Sequence, residues 1–567
     1  MHNLGKMATI IAVYCRKLDK RMSDQVNSFG HKELNAKEKM VRGSIWMTAG
    51  SVISRLLGAV YIIPWYAWMG SNGYVANALF NKGYNVYALF LMIATAGIPG
   101  AIAKQIAHYN SLNEYGISQR LFKRTLVIMV GLGVVFAGVM YGISPILAAG
   151  DKDLILVMRA LSWAILIFPS MSVIRGYFQG NQDMMPSAVS QIVEQVIRVF
   201  YMLLMTFIII KVNKGDYVDA VVQSTFAAFV GMIGAFAALV WFYLKQKPRM
   251  DQLVATSHNE VTISENHLIK EMIKQAIPFI IVGSGITFFK LIDQFTFEPI
   301  MRGFTNYTDK ELSALFSIFS ANPDKLVMIT ISLATGLAMT SLPLVTEYFT
   351  VKNEEELSKL ISDNFQLLLL IMMPATFGMI VLAEPMYVLF YQPDALGISV
   401  LIQASYVGLI MGIFILASSI LQGLYNNKQA VLYLGVGLVI KFILQYPMVK
   451  MFEVYGPLLA SGIGFTLMSA LMIWKIYKET AFDYSLTLRR TLLIFIFSLV
   501  MVGFTNIVKS GLYLFLDPTR KFQAFIIVMI GAMSGILVYG WLILKTRLAD
   551  KLLGPKVSKL RRRFKIK

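Results

Sequence analysis

A chain of 567 residues that is 56% hydrophobic and only 15% charged carries more apolar surface than a soluble globule could cover, so it is an integral membrane protein. Its net charge of +20 would point to nucleic acid in a soluble protein. Here the basic residues gather in alternate loops and at both ends, the pattern of membrane topology and anionic-lipid contact. One cysteine, Cys15, and five histidines exclude an intramolecular disulfide and supply no clustered ligands for a metal.

Residues 1–40 are polar and basic. Their apolar stretch from Met7 to Cys15 is too short to span a bilayer and lacks a cleavage site, so they read as a cytoplasmic tail rather than a signal peptide. Apolar runs of about 20 residues, the length that crosses roughly 30 Å of hydrocarbon as helix, then follow one another. They lie at about 42–66, 84–106, 124–147, 154–178, 187–211, 219–244, 274–299, 323–346, 362–389, 396–422, 429–450, 455–477, 490–513 and 522–544. Lipid cannot satisfy bare backbone, and the period-2 alternation of a barrel is absent, so the spans are expected to be helices.

Threading fourteen spans puts the cation-rich segments on one side. These are the tail before Arg42, the loops with Arg120, Lys123 and Arg124, with Lys245, Lys247 and Arg249, and with Lys475, Lys478, Arg489 and Arg490, and the end with Arg561, Arg562 and Arg563. The alternate loops hold little, Lys82 and Lys152 among them. Both termini are therefore expected in the cytoplasm. Four matches recur in order: Gly50-Ser51 with Gly283-Ser284, Gly97 with Gly336, Pro145 with Pro385, and Gln179-Gly180 with Gln422-Gly423. Their nearly constant spacing favours a duplication. Six spans per unit insert in the same orientation, so the expected architecture is all-α, two parallel six-helix lobes around a central cavity plus two C-terminal helices. The divisions are 1–40 tail, 41–245 first lobe, 246–270 linker, 271–480 second lobe, 481–546 last two spans and 547–567 basic end.

Charges inside the spans carry the functional reading, because each is costly in hydrocarbon unless it faces water or a partner. Arg55, in SRLLG of the first span, is either an anion ligand suited to phosphate or half of an ion pair. Lys290 and Asp293, with Gln294 following, share a face of the seventh span in FFKLIDQF, where they either neutralise one another or meet substrate. Glu194 and Arg198 are four apart in the fifth span, spaced for a helical ion pair. Arg175 ends the fourth span, where it fixes a hairpin or touches lipid phosphate. Lys104 reads as a cavity cation or a positive-inside anchor, and Lys441 with Gln445 as a polar groove or a carbonyl contact. Pro99, Pro278, Pro343 and Pro374 interrupt spans and are candidate kinks. No GxxxxGK[ST], GxSxG or HExxH occurs, so catalysis is not expected, no cofactor is called for, and energy would come from an ion gradient, a membrane potential or a partner.

The six-plus-six-plus-two layout, SRLLG, AGIPGAIAK in the second span and RGYFQGNQDMMPSAVSQIVEQVIR across the fourth and fifth resemble the polysaccharide-exporter branch of the multidrug/oligosaccharidyl-lipid/polysaccharide superfamily. The likeness covers nearly the whole chain after about residue 38 and is nearest to the group of stage V sporulation protein B-like proteins and Gram-positive lipid II flippases. It implies a multi-pass protein of the bacterial cytoplasmic membrane that moves an undecaprenyl-diphosphate-linked cell-wall precursor, lipid II foremost, from inner to outer leaflet by alternating access. It also implies contact with membrane lipids and with cell-wall synthesis proteins. By that resemblance Arg55 matches the arginine of the first-span pattern. The Arg-Asp pair that follows six residues later in the pattern is Tyr61-Ile62 here, so part of the anion site differs or is supplied by Lys290. A cation-coupled multidrug exporter of the same fold, a teichoic or capsular precursor flippase, and a scaffold for wall enzymes are the alternatives.

Overall fold

The computed structural model describes Ser54 and residues 57–58, 60–95, 98–257 and 276–553. Arg55 lies outside the described residues, as do the Gly50-Ser51 and Gly97 members of the repeat. Every regular element among the described residues is helical, as a backbone confined to lipid requires.

The first bundle comprises α1 (Ile62–Met69), α2 (Gly73–Thr95), α3 (Ile98–Ser111), α4 (Tyr115–Leu147), α5 (Lys152–Gly180), α6 (Met185–Phe207) and α7 (Tyr217–Ala255). The second comprises α8 (Gly285–Arg302), α9 (Asp309–Phe316), α10 (Asn322–Thr350), α11 (Glu354–Val381), α12 (Ala383–Phe390), α13 (Ala395–Gly423), α14 (Asn427–Phe452) and α15 (Gly456–Thr480). Two further helices, α16 (Tyr484–Tyr513) and α17 (Lys521–Lys545), pack on α11 and α12, and the short α18 (Leu548–Leu553) follows. Helix starts carry the side chains their exposed N–H groups need: Asp151, Asn353, Asp394 and Asp483 each accept from the first turn.

Eleven stretches are long and apolar enough to cross a membrane, or twelve if the pair Ala276–Gly283 and Gly285–Arg302, bent by 46°, is one span. Two of the eleven, Ile62–Ser111 and Asn427–Thr480, have 50 and 54 residues, more than one crossing needs. The second doubles back at Glu453–Tyr455, and its two arms pack with Gly437 against Gly464 and Met468. That length-based count does not reach the expected fourteen.

Helix edges differ from the hydropathy reading where spans carry polar residues. Helix α2 starts at Gly73, eleven residues before the expected edge, because Asn77, Asn81, Lys82 and Asn85 depress local hydropathy yet are buried against the second bundle. Lys82, read as a loop residue, is thus inside a helix. Helix α7 runs through Pro248 to Ala255, so the first part of the stretch read as a linker is helical. The ninth span breaks at Leu382 before α12.

The two bundles repeat each other in their packing. A Cβ on Gly176 of α5 would lie 2.6 Å from the Pro99 carbonyl oxygen, and on Gly180 it would lie 2.8 Å from Ile106 of α3. In the second bundle a Cβ on Gly423 of α13 would lie 3.0 Å from Val345 of α10, and Ser419 Oγ donates to the Ala338 carbonyl at 2.9 Å. The second residue after each terminal glycine, Gln182 and Tyr425, has φ of 60°, so both hairpins close with the same left-handed turn. Gly176→Val is expected to destabilise by about 1–3 kcal/mol through overpacking against backbone, read as a lower unfolding temperature in detergent.

Candidate functional site: a polar seam between the bundles

The bundles meet along α2. Tyr74, Asn77, Asn81 and Asn85 recur at helical spacing, which gathers them on one face. Each reaches the second bundle. Tyr74 donates to Asp394 Oδ2 at 3.0 Å, Asn77 Nδ2 to Asn322 Oδ1 at 2.6 Å, and Asn85 Nδ2 to Gln294 Oε1 at 3.1 Å, while Asn81 Oδ1 accepts from Ser320 at 3.4 Å. Beside them Lys82 pairs with Glu298 at 2.6 Å and lies over the Phe316 ring. Asn322 is itself held by Tyr387, to whose hydroxyl it donates at 2.8 Å, and by Tyr391, which donates to its carbonyl at 2.8 Å. The π-helical turn Ser317–Ala321 immediately precedes Asn322, a type of irregularity found often at functional positions.

Lys325, one turn further along α10, is the cation of the seam that sequence reasoning missed. Its Nζ donates to Asn77 Oδ1 at 2.6 Å and sits 5.8, 5.6 and 4.9 Å from the ring centroids of Tyr61, Trp65 and Phe80. No carboxylate among the described residues forms an ion pair with it. Its contacts are aromatic faces and one amide, which suit an ammonium without supplying a counter-charge. Its neighbour Asp324 is committed elsewhere, pairing at 2.5 Å with Lys290. The signal available in the sequence was the Pro323-Asp324-Lys325 run at the start of a span together with the i, i+4 asparagines of α2.

The other expected residues divide plainly. Lys290 lines a cleft inside the second bundle with Asp293, Ser320, Asp324, Ser461 and Phe465. It does not neutralise Asp293, because the shorter reach is across helices: Asp293 Oδ1 accepts from Lys441 Nζ at 2.6 Å and from Gln445 Nε2 at 3.0 Å. Lys441 is fully buried and also donates to the Pro457 carbonyl at 2.7 Å. Lys441 and Gln445 thus tie α14 to α8 and α15 rather than open a groove. Gln294 is buried in the seam. Lys104 is exposed, on the face of α3 opposite the buried Ile102 and Ile106.

In the first bundle the local Glu194–Arg198 pair is absent. Glu194 instead accepts from Arg175 Nη2 at 2.9 Å, and Arg175 Nε donates to Ser190 at 2.9 Å, so Arg175 fixes the α5–α6 hairpin. Arg198 donates to the Tyr84 hydroxyl at 2.5 Å and lies over that ring. Side-chain direction across the helix interface decides both choices, which i, i+4 spacing alone does not encode. No group of three or more His, Cys, Asp or Glu residues that could hold a metal occurs among the described residues.

Two helical bundles joined along a hydrogen-bonded seam, with cations inside the membrane, define a multi-pass transporter of the two-lobe kind. A family model described as polysaccharide biosynthesis protein matches residues 40–349, and one described as MatE matches residues 305–447. The chain is 33% identical over 536 residues to the lipid II flippase MurJ of Bacillus subtilis strain 168, covering 92% of this chain and 97% of that protein. It is 28% identical over 167 residues to the stage V sporulation protein B of the same organism, 29% of this chain and 32% of that one. Among solved structures, a lipid II flippase MurJ in an inward closed conformation superposes with a TM-score of 0.61 at 15% identity, covering 90% of this chain and 100% of that one. An outward-facing multidrug resistance MATE family transporter superposes at 0.58 with 16% identity, covering 79% and 97%. The chain belongs to the polysaccharide biosynthesis protein family, within the multidrug/oligosaccharidyl-lipid/polysaccharide superfamily.

Proposed function

We propose that this chain is a flippase that carries an undecaprenyl-diphosphate-linked cell-wall precursor, lipid II foremost, from the inner to the outer leaflet of the bacterial cytoplasmic membrane by alternating access. The observation that carries the reading is Lys325, an ammonium held in the inter-bundle seam by rings and an amide instead of a carboxylate. A diphosphate headgroup cannot enter hydrocarbon bare. A cation kept uncompensated beside the bundle interface offers it a partner while the polyprenyl tail stays in lipid. The similarity to a named lipid II flippase over nearly the whole chain supports the same substrate.

With both termini cytoplasmic, as the basic loops imply, the Gly70–Asn72 turn faces outward and the seam lies toward the outer side of the bundle interface. Movement of the anion outward is then favoured by an inside-negative potential, about 2.3 kcal/mol per charge per 100 mV. Lys104 and Lys290 are assigned to the anion's path toward the seam, Arg55 is kept as a candidate anion ligand from the sequence alone, and membrane lipids and wall-synthesis proteins are the expected company. The drug-exporter alternative needs acids able to take up a cation. Asp293 is held by Lys441 and Gln445, and Glu194 by Arg175, so neither offers itself.

The test is complementation of a Gram-positive strain depleted of its own lipid II flippases. Growth with normal outer-leaflet lipid II is expected from the wild-type chain. Continued accumulation of inner-leaflet lipid II with the protein present at normal level would contradict the assignment.

A further inference from the structure

Two cations, one from each bundle, stand at the ends of a single aromatic stack. Phe80 and Tyr84 are one helical turn apart on α2, and their rings stack with centroids 4.5 Å apart and planes inclined by 20°. Lys325 of α10 lies 4.9 Å from the Phe80 centroid, and the Arg198 guanidinium of α6 lies 5.2 Å from the Tyr84 centroid. Neither is in an ion pair with a carboxylate among the described residues, because Asp324 serves Lys290 and Glu194 serves Arg175. A guanidinium has five N–H donors and an ammonium three. Among the described residues Arg198 uses one, on Tyr84, and Lys325 uses one, on Asn77.

Like charges brought toward each other without counter-charges are unfavourable, and rings offset only part of that cost. The arrangement fits a ligand that supplies two negative groups. We propose that Arg198 is the first bundle's half of a split anion site whose other half is Lys325, and that a lipid diphosphate bridges the two across the Phe80–Tyr84 stack. This deepens the carrier reading above and rests on it. Tyr84 acts as a positioning residue that aims the guanidinium.

The division between bundles has a mechanical consequence. Parting of the seam carries Lys325 away with α10, while Arg198 and both rings remain with the first bundle. A diphosphate then loses half its contacts, so opening of the seam itself promotes release. A monophosphate satisfies one cation and gains little from the second.

The experiment uses the purified full chain in lipid nanodiscs, titrated with farnesyl diphosphate and with farnesyl monophosphate. The wild type is expected to prefer the diphosphate by about tenfold or more. Arg198→Gln is expected to weaken diphosphate binding roughly 10–100-fold, the worth of one charge-assisted contact, and to leave monophosphate binding within about threefold. If that variant is not recovered folded, Arg198→Lys is read instead. It keeps the charge but loses the fork, and is expected to weaken diphosphate binding about threefold to tenfold with monophosphate unchanged.

Unchanged diphosphate affinity in the variant read, or equal wild-type affinity for the two lipids, overturns the split site. If binding vanishes in Lys325→Gln while Arg198→Gln binds as wild type, the split site falls and the carrier reading stands. Failure of the wild type to bind either lipid overturns both.

Discussion

A bifunctional cross-link between α2 and α8 is expected to stop transport completely. Lys82 and Glu298 pair across the seam at 2.6 Å, with side chains that are 10% and 17% exposed, and they belong to different bundles. Replacing both by cysteine in a Cys15→Ser background leaves no other thiol in the chain. Loss of both charges together removes attraction and desolvation penalty alike, so the unmodified double variant should remain folded and active. A short bis-methanethiosulfonate reagent then ties the bundles in the state described here. Complementing activity should disappear on modification and return with reductant. Full activity in quantitatively cross-linked protein would mean that the seam does not open during the cycle.

Breaking the buried pair of the second bundle is expected to have the largest effect on stability. Lys441 is completely buried, and its side-chain partner Asp293 is 9% exposed. Lys441→Met leaves the Asp293 carboxylate with Gln445 alone, and Asp293→Leu leaves the ammonium with only the Pro457 carbonyl. An uncompensated buried charge of this kind costs about 3–5 kcal/mol. Each single variant should therefore unfold at a clearly lower temperature in detergent than the wild type, and the double variant Asp293→Leu/Lys441→Met should recover most of the loss. Additive losses in the double variant would show that the two residues are not an energetic pair.

The global architecture was legible because it rests on length and repetition. Apolar runs sized to the bilayer marked the helices, and the Gly180 and Gly423 matches marked two hairpins that pack alike. The seam was less legible for a specific physical reason. Hydropathy treats Asn77, Asn81 and Lys82 as signs of a loop, whereas in a two-bundle membrane protein polar residues at i, i+4 spacing, here Asn77, Asn81 and Asn85, are an interface between helices. Charge pairing was the other failure. Lys290 with Asp293 and Glu194 with Arg198 are adjacent on their own helices, yet each residue is partnered by a side chain of another helix, Arg198 by the Tyr84 hydroxyl and the other three by an opposite charge. An isolated helix has only local partners, so i, i+4 rules suit it. A packed bundle offers nearer ones, and which one wins depends on crossing geometry that a single sequence does not display. Arg198, left without an acid, and Lys325, overlooked at a span edge, are the residues those errors hid.

Transport of lipid II in flippase-depleted cells expressing Lys325→Gln or Lys325→Arg, read as the fraction of lipid II exposed on the outer leaflet at matched protein levels, bears most directly on the role of the seam cation. Near-complete loss with glutamine and substantial retention with arginine is expected. Wild-type exposure of lipid II with glutamine at position 325 would contradict the claim that this charge receives the anionic headgroup.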